Sequence, residues 1–320
     1  MKNSSIATAF FLALILAVSM SGNLYAEDQK PATEAPAAAA APAAAPAAAA
    51  APAEDKVTGS LVLSGLNRYI FRGLELGAHS LVLQPAVTVS YKGFSANIWS
   101  NLDTDQHATN NFTPGNFTGT GSNTNLGKKS LNETDLTLSY TYNIDKLALT
   151  GGYIYYGTHY ADETQELFVS GTYDMIAHPT LAVYRDIDRY PGTYINLSFS
   201  QSIPVYKMTN GDATVDLGAG FGYEIGSSNF WDKYSTTTHA FTGSKYSAPQ
   251  DGHVQVGLTI PVTKIFSVQP VAQYWFPLSD DANKRIKDSS PLAPAPENGL
   301  NANGPLRTIF VYGLNATLTF

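Results

Sequence analysis

Six histidines and a thin, mainly acidic set of charges are the raw material for chemistry in this chain. His159-Tyr160-Ala161-Asp162-Glu163 sets a histidine close to two acids, the pairing that orients a nucleophile in acyl transfer. No G-x-S-x-G accompanies it, and no serine is marked as a nucleophile by its neighbours. A solvated surface loop is therefore the expectation there, and the chain is not expected to be an enzyme. The absence of cysteine excludes disulfides, thiol catalysis and cysteine-held metals. No His/Asp spacing recurs to hold a metal, so no metal or other cofactor is expected. The formal charge is -7 with no basic patch, which sets nucleic acid aside as a partner. The glycines at 218, 220 and 222 lie in a strand-like stretch and lack the context of a phosphate loop.

A second kind of chemistry is written in where the charges fall. Glu133, Asp135, Asp216 and Glu224, with Glu166, share parity with small polar residues and oppose apolar ones. If the apolar side meets lipid, these acids must face a lumen, because ionisable groups are costly toward hydrocarbon. Arg72, Arg185 and Arg189 are the bases that could face them. Such a set either sorts solutes by charge and size or closes into salt bridges that fill the space. Removing Lys2 with a leader would take the charge from -7 to -8, which fits a weak preference for cations. Arg72 draws particular interest, since it sits at the mouth of a first outside loop and Gly73 beside it permits a sharp fold into the opening. The competing role for Arg72 is a contact with lipid headgroups or lipopolysaccharide phosphate.

Strands must position these residues. In 81–91 the odd positions read Leu81, Leu83, Pro85, Val87, Val89 and Tyr91, against Val82, Gln84, Ala86, Thr88 and Ser90. Side chains alternate faces along a strand, so one face is apolar and the other mostly small and polar. The pattern recurs through Leu136–Tyr142, Val215–Ile225 and Phe266–Phe276. It predicts twelve strands near 57–67, 80–91, 93–102, 131–143, 146–158, 163–173, 179–187, 193–202, 212–225, 252–260, 264–276 and 306–320. A soluble β-sandwich also alternates. These segments, however, are longer than the roughly five or six residues of soluble strands. They match the roughly nine to eleven residues of a tilted membrane strand. Aromatics such as Tyr91, Phe94, Tyr140, Tyr142, Tyr274 and Phe276 collect near the ends of apolar faces, as interfacial girdles do.

Connections alternate in length. Tyr91-Lys92-Gly93 and 143–146 are short, whereas 103–130, 226–251 and 277–305 are long and rich in Asn, Gly, Ser and Thr. Hydrocarbon offers no hydrogen-bond partner, so a sheet within it must close and leave no edge. The last strand carries Phe310, Tyr312, Leu314, Ala316, Leu318 and Phe320 on one face and is expected to pair with the first near Val57. An apolar residue at every second place before a terminal phenylalanine resembles the assembly signal of bacterial outer-membrane proteins.

Ahead of this region, Lys2, an apolar run over 6–20 and Leu24-Tyr25-Ala26 fit a cleaved signal peptide over 1–26. Residues 27–56 are dominated by alanine and proline and are expected to form a periplasmic linker that buries no core.

The run Leu66-Asn67-Arg68-Tyr69-Ile70-Phe71-Arg72-Gly73, with Leu83-Gln84-Pro85-Ala86 and Phe94-Ser95-Ala96-Asn97-Ile98-Trp99-Ser100-Asn101, resembles the start of the TorF family of porins. The resemblance is clearest over 58–103, and the linker and long loops depart from it. It implies an outer-membrane barrel and channel but no particular solute. The expectation is thus an all-β, antiparallel up-and-down barrel over 57–320 that passes small hydrophilic solutes. Its expected partners are outer-membrane lipid, lipopolysaccharide and the barrel assembly machinery. The alternative is a structural or surface-binding barrel with a filled lumen.

Overall fold

The computed structural model describes residues 56–77, 80–105, 129–159, 163–228, 231–235, 240–283 and 308–320. The leader expected over 1–26, and the linker expected over 27–56 apart from residue 56, lie outside them. The membrane-length strands expected from the alternation form one closed antiparallel sheet of twelve. In chain order its members are β1 (Thr58–Leu66), β4 (Val82–Tyr91), β5 (Phe94–Asp103), β6 (Ser130–Ile144), β7 (Leu147–Thr158) and β8 (Thr164–Tyr173). β9 (Thr180–Asp186), β10 (Gly192–Met208), β11 (Gly211–Gly226), β14 (Ser247–Pro261), β15 (Phe266–Pro277) and β16 (Ile309–Thr319) complete it. Two hairpins stand outside the closed sheet: β2 (Tyr69–Phe71) with β3 (Leu74–Gly77), and β12 (Asp232–Ser235) with β13 (Ala240–Lys245). Among the described residues the α-helix is a single turn at 280–283.

Each strand pairs with its sequence neighbours, and β1 joins β16 to close the cylinder. The closing register runs from Ser60 opposite Thr319 to Leu66 opposite Gly313. Gly59 and Phe320 then exchange two backbone hydrogen bonds, 2.9 and 3.0 Å. A Cβ on Gly59 would lie 2.6 Å from the Phe320 ring, so the missing side chain makes room for the terminal phenylalanine.

The outer face is apolar. Leu61, Leu63, Val87, Leu138, Leu217 and Val256 are all exposed. Aromatics bound this band at both ends. Tyr91, Phe94, Tyr140 and Tyr142 lie toward the tight turns, and Tyr223, Tyr274, Phe310 and Tyr312 lie toward the long loops. Phe94 and Tyr140 are in ring contact at 4.7 Å. Phe310, Tyr312, Leu314, Leu318 and Phe320 of the last strand are all exposed.

Two boundaries, the end of β10 and the start of β14, lie farthest from the sequence reading. β10 and β11 run on to Met208 and from Gly211, so a tight turn replaces the nine-residue connection expected over 203–211. Ser202, Pro204 and Tyr206 weaken the alternation there, but pairing continues across a bulge between Pro204 and Tyr206. β14 begins at Ser247 instead of 252, because a second bulge opposite Phe221 and Tyr223 carries the strand past Gly252. The expected loop at 226–251 therefore contains a hairpin of its own and the start of a barrel strand. The strand at 179–187, whose pattern is interrupted by Arg185 and Asp186, pairs on both sides.

Candidate functional site

The connection between β1 and β4 builds the site. Phe71-Arg72-Gly73-Leu74 turns with φ of 47° at Arg72 and 79° at Gly73. Two consecutive positive φ values match the primed turn that suits the twist of a hairpin. Glycine adopts this freely, whereas arginine there costs about 1 kcal/mol or more. The hairpin folds inward from the loop mouth, the direction that Gly73 was expected to permit. Tyr69 and Ile70 are buried with Leu66, Val82, Val271, Trp275, Ile309 and Val311 on the wall around the closing strands. Phe71 also packs against Ile154, Tyr156, Phe168, Ala182, Tyr184 and Tyr194 on the opposite wall. The hairpin thus bridges the lumen from the closing seam to β7–β10.

Arg72 is the tip of this bridge. Its guanidinium donates two hydrogen bonds to Glu166 on β8, Nη1 to Oε1 at 2.8 Å and Nη2 to Oε2 at 2.7 Å. Tyr156 on β7 adds its hydroxyl to Oε2 at 2.8 Å. The guanidinium carbon also lies 4.8, 4.6 and 4.5 Å from the ring centroids of Phe71, Tyr184 and Tyr194. The ion pair is nearly dry, with side chains 12% and 6% exposed. Burial opposes the Arg72 charge, but Glu166, with further contributions from Tyr156 and Glu224, outweighs it and raises the arginine's pKa above its ordinary value. A planar fork matched to a carboxylate and stacked on rings is a geometry that lysine cannot reproduce.

More acids surround the tip. Glu133, Asp135, Asp186, Glu224 and Asp251 are all buried on the lumen side. Tyr194 donates to both Asp251 oxygens at 3.0 and 3.2 Å, which fixes the ring that stacks on Arg72. Asp186 accepts from Thr164 Oγ1 at 2.6 Å and from the backbone of residues 188 and 190. Among the described residues no side-chain donor reaches the carboxylate oxygens of Asp135. Nearby, Gln84, Asn101 and Asn132 form a buried amide chain across β4, β5 and β6.

The structure separates the expected lumen residues into three groups. Glu166 joins Arg72 directly, and Glu133, Asp135 and Glu224 are buried on the same lumen side. Asp216 lies elsewhere in the barrel and accepts four hydrogen bonds, from Ser202, Thr214, Thr259 and Gln269, at 2.6 to 3.0 Å. Asn315 extends that network through Gln269, so Asp216 ties five adjacent strands together. Arg185 does not face the acids. It falls between inward Tyr184 and Asp186 and is exposed on the outer face, bonded to Thr193 Oγ1 at 3.1 Å and Ser227 Oγ at 2.8 Å. Alternation alone decides this, since its neighbours in the strand take the inward positions. Arg189 is likewise exposed, beyond the end of β9.

Sequence reasoning missed Tyr156, Tyr184, Tyr194 and Asp251. A signal was present, because three tyrosines sit at the parity of otherwise small or polar residues, where a lipid girdle cannot use them. Among the described residues no group of three or more His, Cys, Asp or Glu is placed to hold a metal ion. Residues 160–162 of the His159–Glu163 loop lie outside the described residues.

Neither a family model nor a curated protein matches the sequence. Solved structures match over most of the chain. A KdgM porin is 9% identical over 82% of this chain and 99% of its own, with a TM-score of 0.43. A NanC porin is 11% identical over 81% and 98%, with a TM-score of 0.45. OmpF of Salmonella typhi is 10% identical over 83% and 97%, with a TM-score of 0.31. The finer resemblance to the TorF family finds no family match beside it. What this chain demonstrably is, by its own strand pairing, is a closed twelve-stranded antiparallel barrel.

Proposed function

We propose that this protein is an outer-membrane channel for passive diffusion of small hydrophilic solutes, constricted by the β2–β3 hairpin and its Arg72–Glu166 anchor. One observation carries the reading: a single closed sheet presents an apolar, aromatic-bounded band outside and a polar interior. That combination satisfies every backbone group within hydrocarbon and turns polar side chains toward the interior that a passage would use. Thr137, Thr150, Thr172, Thr259, Gln269 and Asn315 are among the hydroxyls and amides that line this interior. The expected leader over 1–26 supports export, and the TorF resemblance supports a channel. With the tight turns periplasmic, the long loops face outward, the outer band meets lipid and lipopolysaccharide, and the last strand offers Phe320 to the assembly machinery. Transport by this route uses no cofactor.

A second reading, a structural or surface-binding barrel with a filled lumen, is favoured by the two apolar clusters that the hairpin brings into the interior. Planar bilayers separate the two. The channel reading expects reproducible conductance steps that grow when Arg72→Gly loosens the hairpin tip. Silent bilayers from folded wild-type and hairpin-deleted protein would sink it in favour of the filled barrel.

A further inference from the structure

The contacts of Arg72 divide into those made by its own hairpin and those made by the barrel wall. Phe71 belongs to the hairpin. Glu166, Tyr156, Tyr184 and Tyr194 belong to β7–β10 and would remain in place if the hairpin withdrew. They offer a carboxylate with both oxygens directed at a planar fork, and two aromatic faces at 4.5 and 4.6 Å from the cation. Tyr194 is held by Asp251, and Tyr184 packs against Phe168 at 5.9 Å, so the rings are fixed by the wall and not by Arg72. The arrangement has the form of a receptor for a guanidinium group, with its parts held by the barrel wall. In the closed arrangement its occupant is a side chain of the same molecule.

From this geometry we infer that the Glu166–Tyr156–Tyr184–Tyr194 cage is a binding site for guanidinium-bearing solutes, and that Arg72 occupies it as a built-in pseudo-ligand. The inference deepens the channel reading and rests on it for the entry of solute. The fork geometry favours guanidinium over ammonium, because only a planar cation satisfies both Glu166 oxygens while stacking on the rings. Arg72 sits at a positive φ that disfavours a non-glycine residue, so its cage contacts hold the tip against local backbone strain. A solute that takes the cage releases that tip.

Arg72→Gly vacates the cage and suits the turn; Arg72→Ala is the companion variant. Titrating methylguanidinium chloride into either folded variant in detergent micelles is expected to give saturable, millimolar binding by calorimetry. Arg72→Gly with Glu166→Gln should bind about tenfold more weakly, the loss expected when charged hydrogen bonds are removed. Methylammonium at equal ionic strength should also bind several-fold more weakly than methylguanidinium. No saturable binding to either folded variant, or equal binding of methylammonium, overturns the inference. In bilayers, methylguanidinium should raise the opening frequency of the wild-type protein above that in sodium chloride of equal strength. If calorimetry shows the cage binding while bilayers stay silent for every variant, the cage stands and the channel reading falls.

Discussion

Glu166 accepts both hydrogen bonds that Arg72 donates from the hairpin tip, and its removal has a predictable cost. Glu166→Ala leaves the Arg72 guanidinium nearly dry and without its carboxylate, a loss of about 3–5 kcal/mol for a broken buried pair. Urea unfolding of the protein in detergent should show that loss, and a change under about 0.5 kcal/mol would mean that the pair is not held as described. Arg72→Gly should cost less, because Glu166 keeps the Tyr156 hydroxyl and glycine relieves the positive φ. Arg185 provides the contrast. It lies on the outer face, so Arg185→Ala is expected to leave conductance and ion selectivity unchanged. A shift in reversal potential under a salt gradient would return it to the lumen.

At the scale of the strand, β11 shows how side-chain volume is traded across the wall. Gly218, Gly220 and Gly222 sit at its inward positions, where added Cβ atoms would lie 2.4 Å from Gln255, 2.4 Å from His253 and 2.3 Å from the Tyr194 hydroxyl. Gly222→Ala should therefore push Tyr194 from its place over Arg72. The measurable result is a weaker hairpin anchor: a lower midpoint of heat modifiability and, on the channel reading, larger current. The barrel-closing strand makes a separate demand, because Phe320 pairs with Gly59 and its ring fills the space of the absent Cβ. Gly59→Val is expected to reduce the yield of folded, heat-modifiable barrel, and normal yield would show that the seam tolerates the displaced ring.

For the molecule as a whole, the closed sheet and the hairpin are separable. All twelve barrel strands pair without β2 or β3. Excising 68–77 and joining the ends with a short Gly/Ser bridge should preserve the heat-modifiable, strand-rich fold. Conductance should rise several-fold, because the bridge between the two apolar clusters is gone. An unfolded product would show that the hairpin is instead part of the barrel's core.

Alternation by itself determined the barrel. A period of two with ten-residue segments leaves one face apolar and one polar, and the closed antiparallel sheet follows from the need to pair every backbone group. The same parity put Glu133, Asp135, Glu166, Asp216 and Glu224 inside. It also carried the answer for Arg185, between inward Tyr184 and Asp186, although the charge balance had suggested otherwise. Tertiary structure alone decided where the first loop goes. Arg68–Gly77 is a turn signal in the sequence, and Gly73 permits a fold into the opening without supplying the contacts that hold it there. That choice depends on Tyr69 and Ile70 meeting Trp275 and Val311, and on Arg72 meeting Glu166, a partner ninety-four residues away. Such contacts exist only once the cylinder has closed and brought opposite walls within reach of one hairpin.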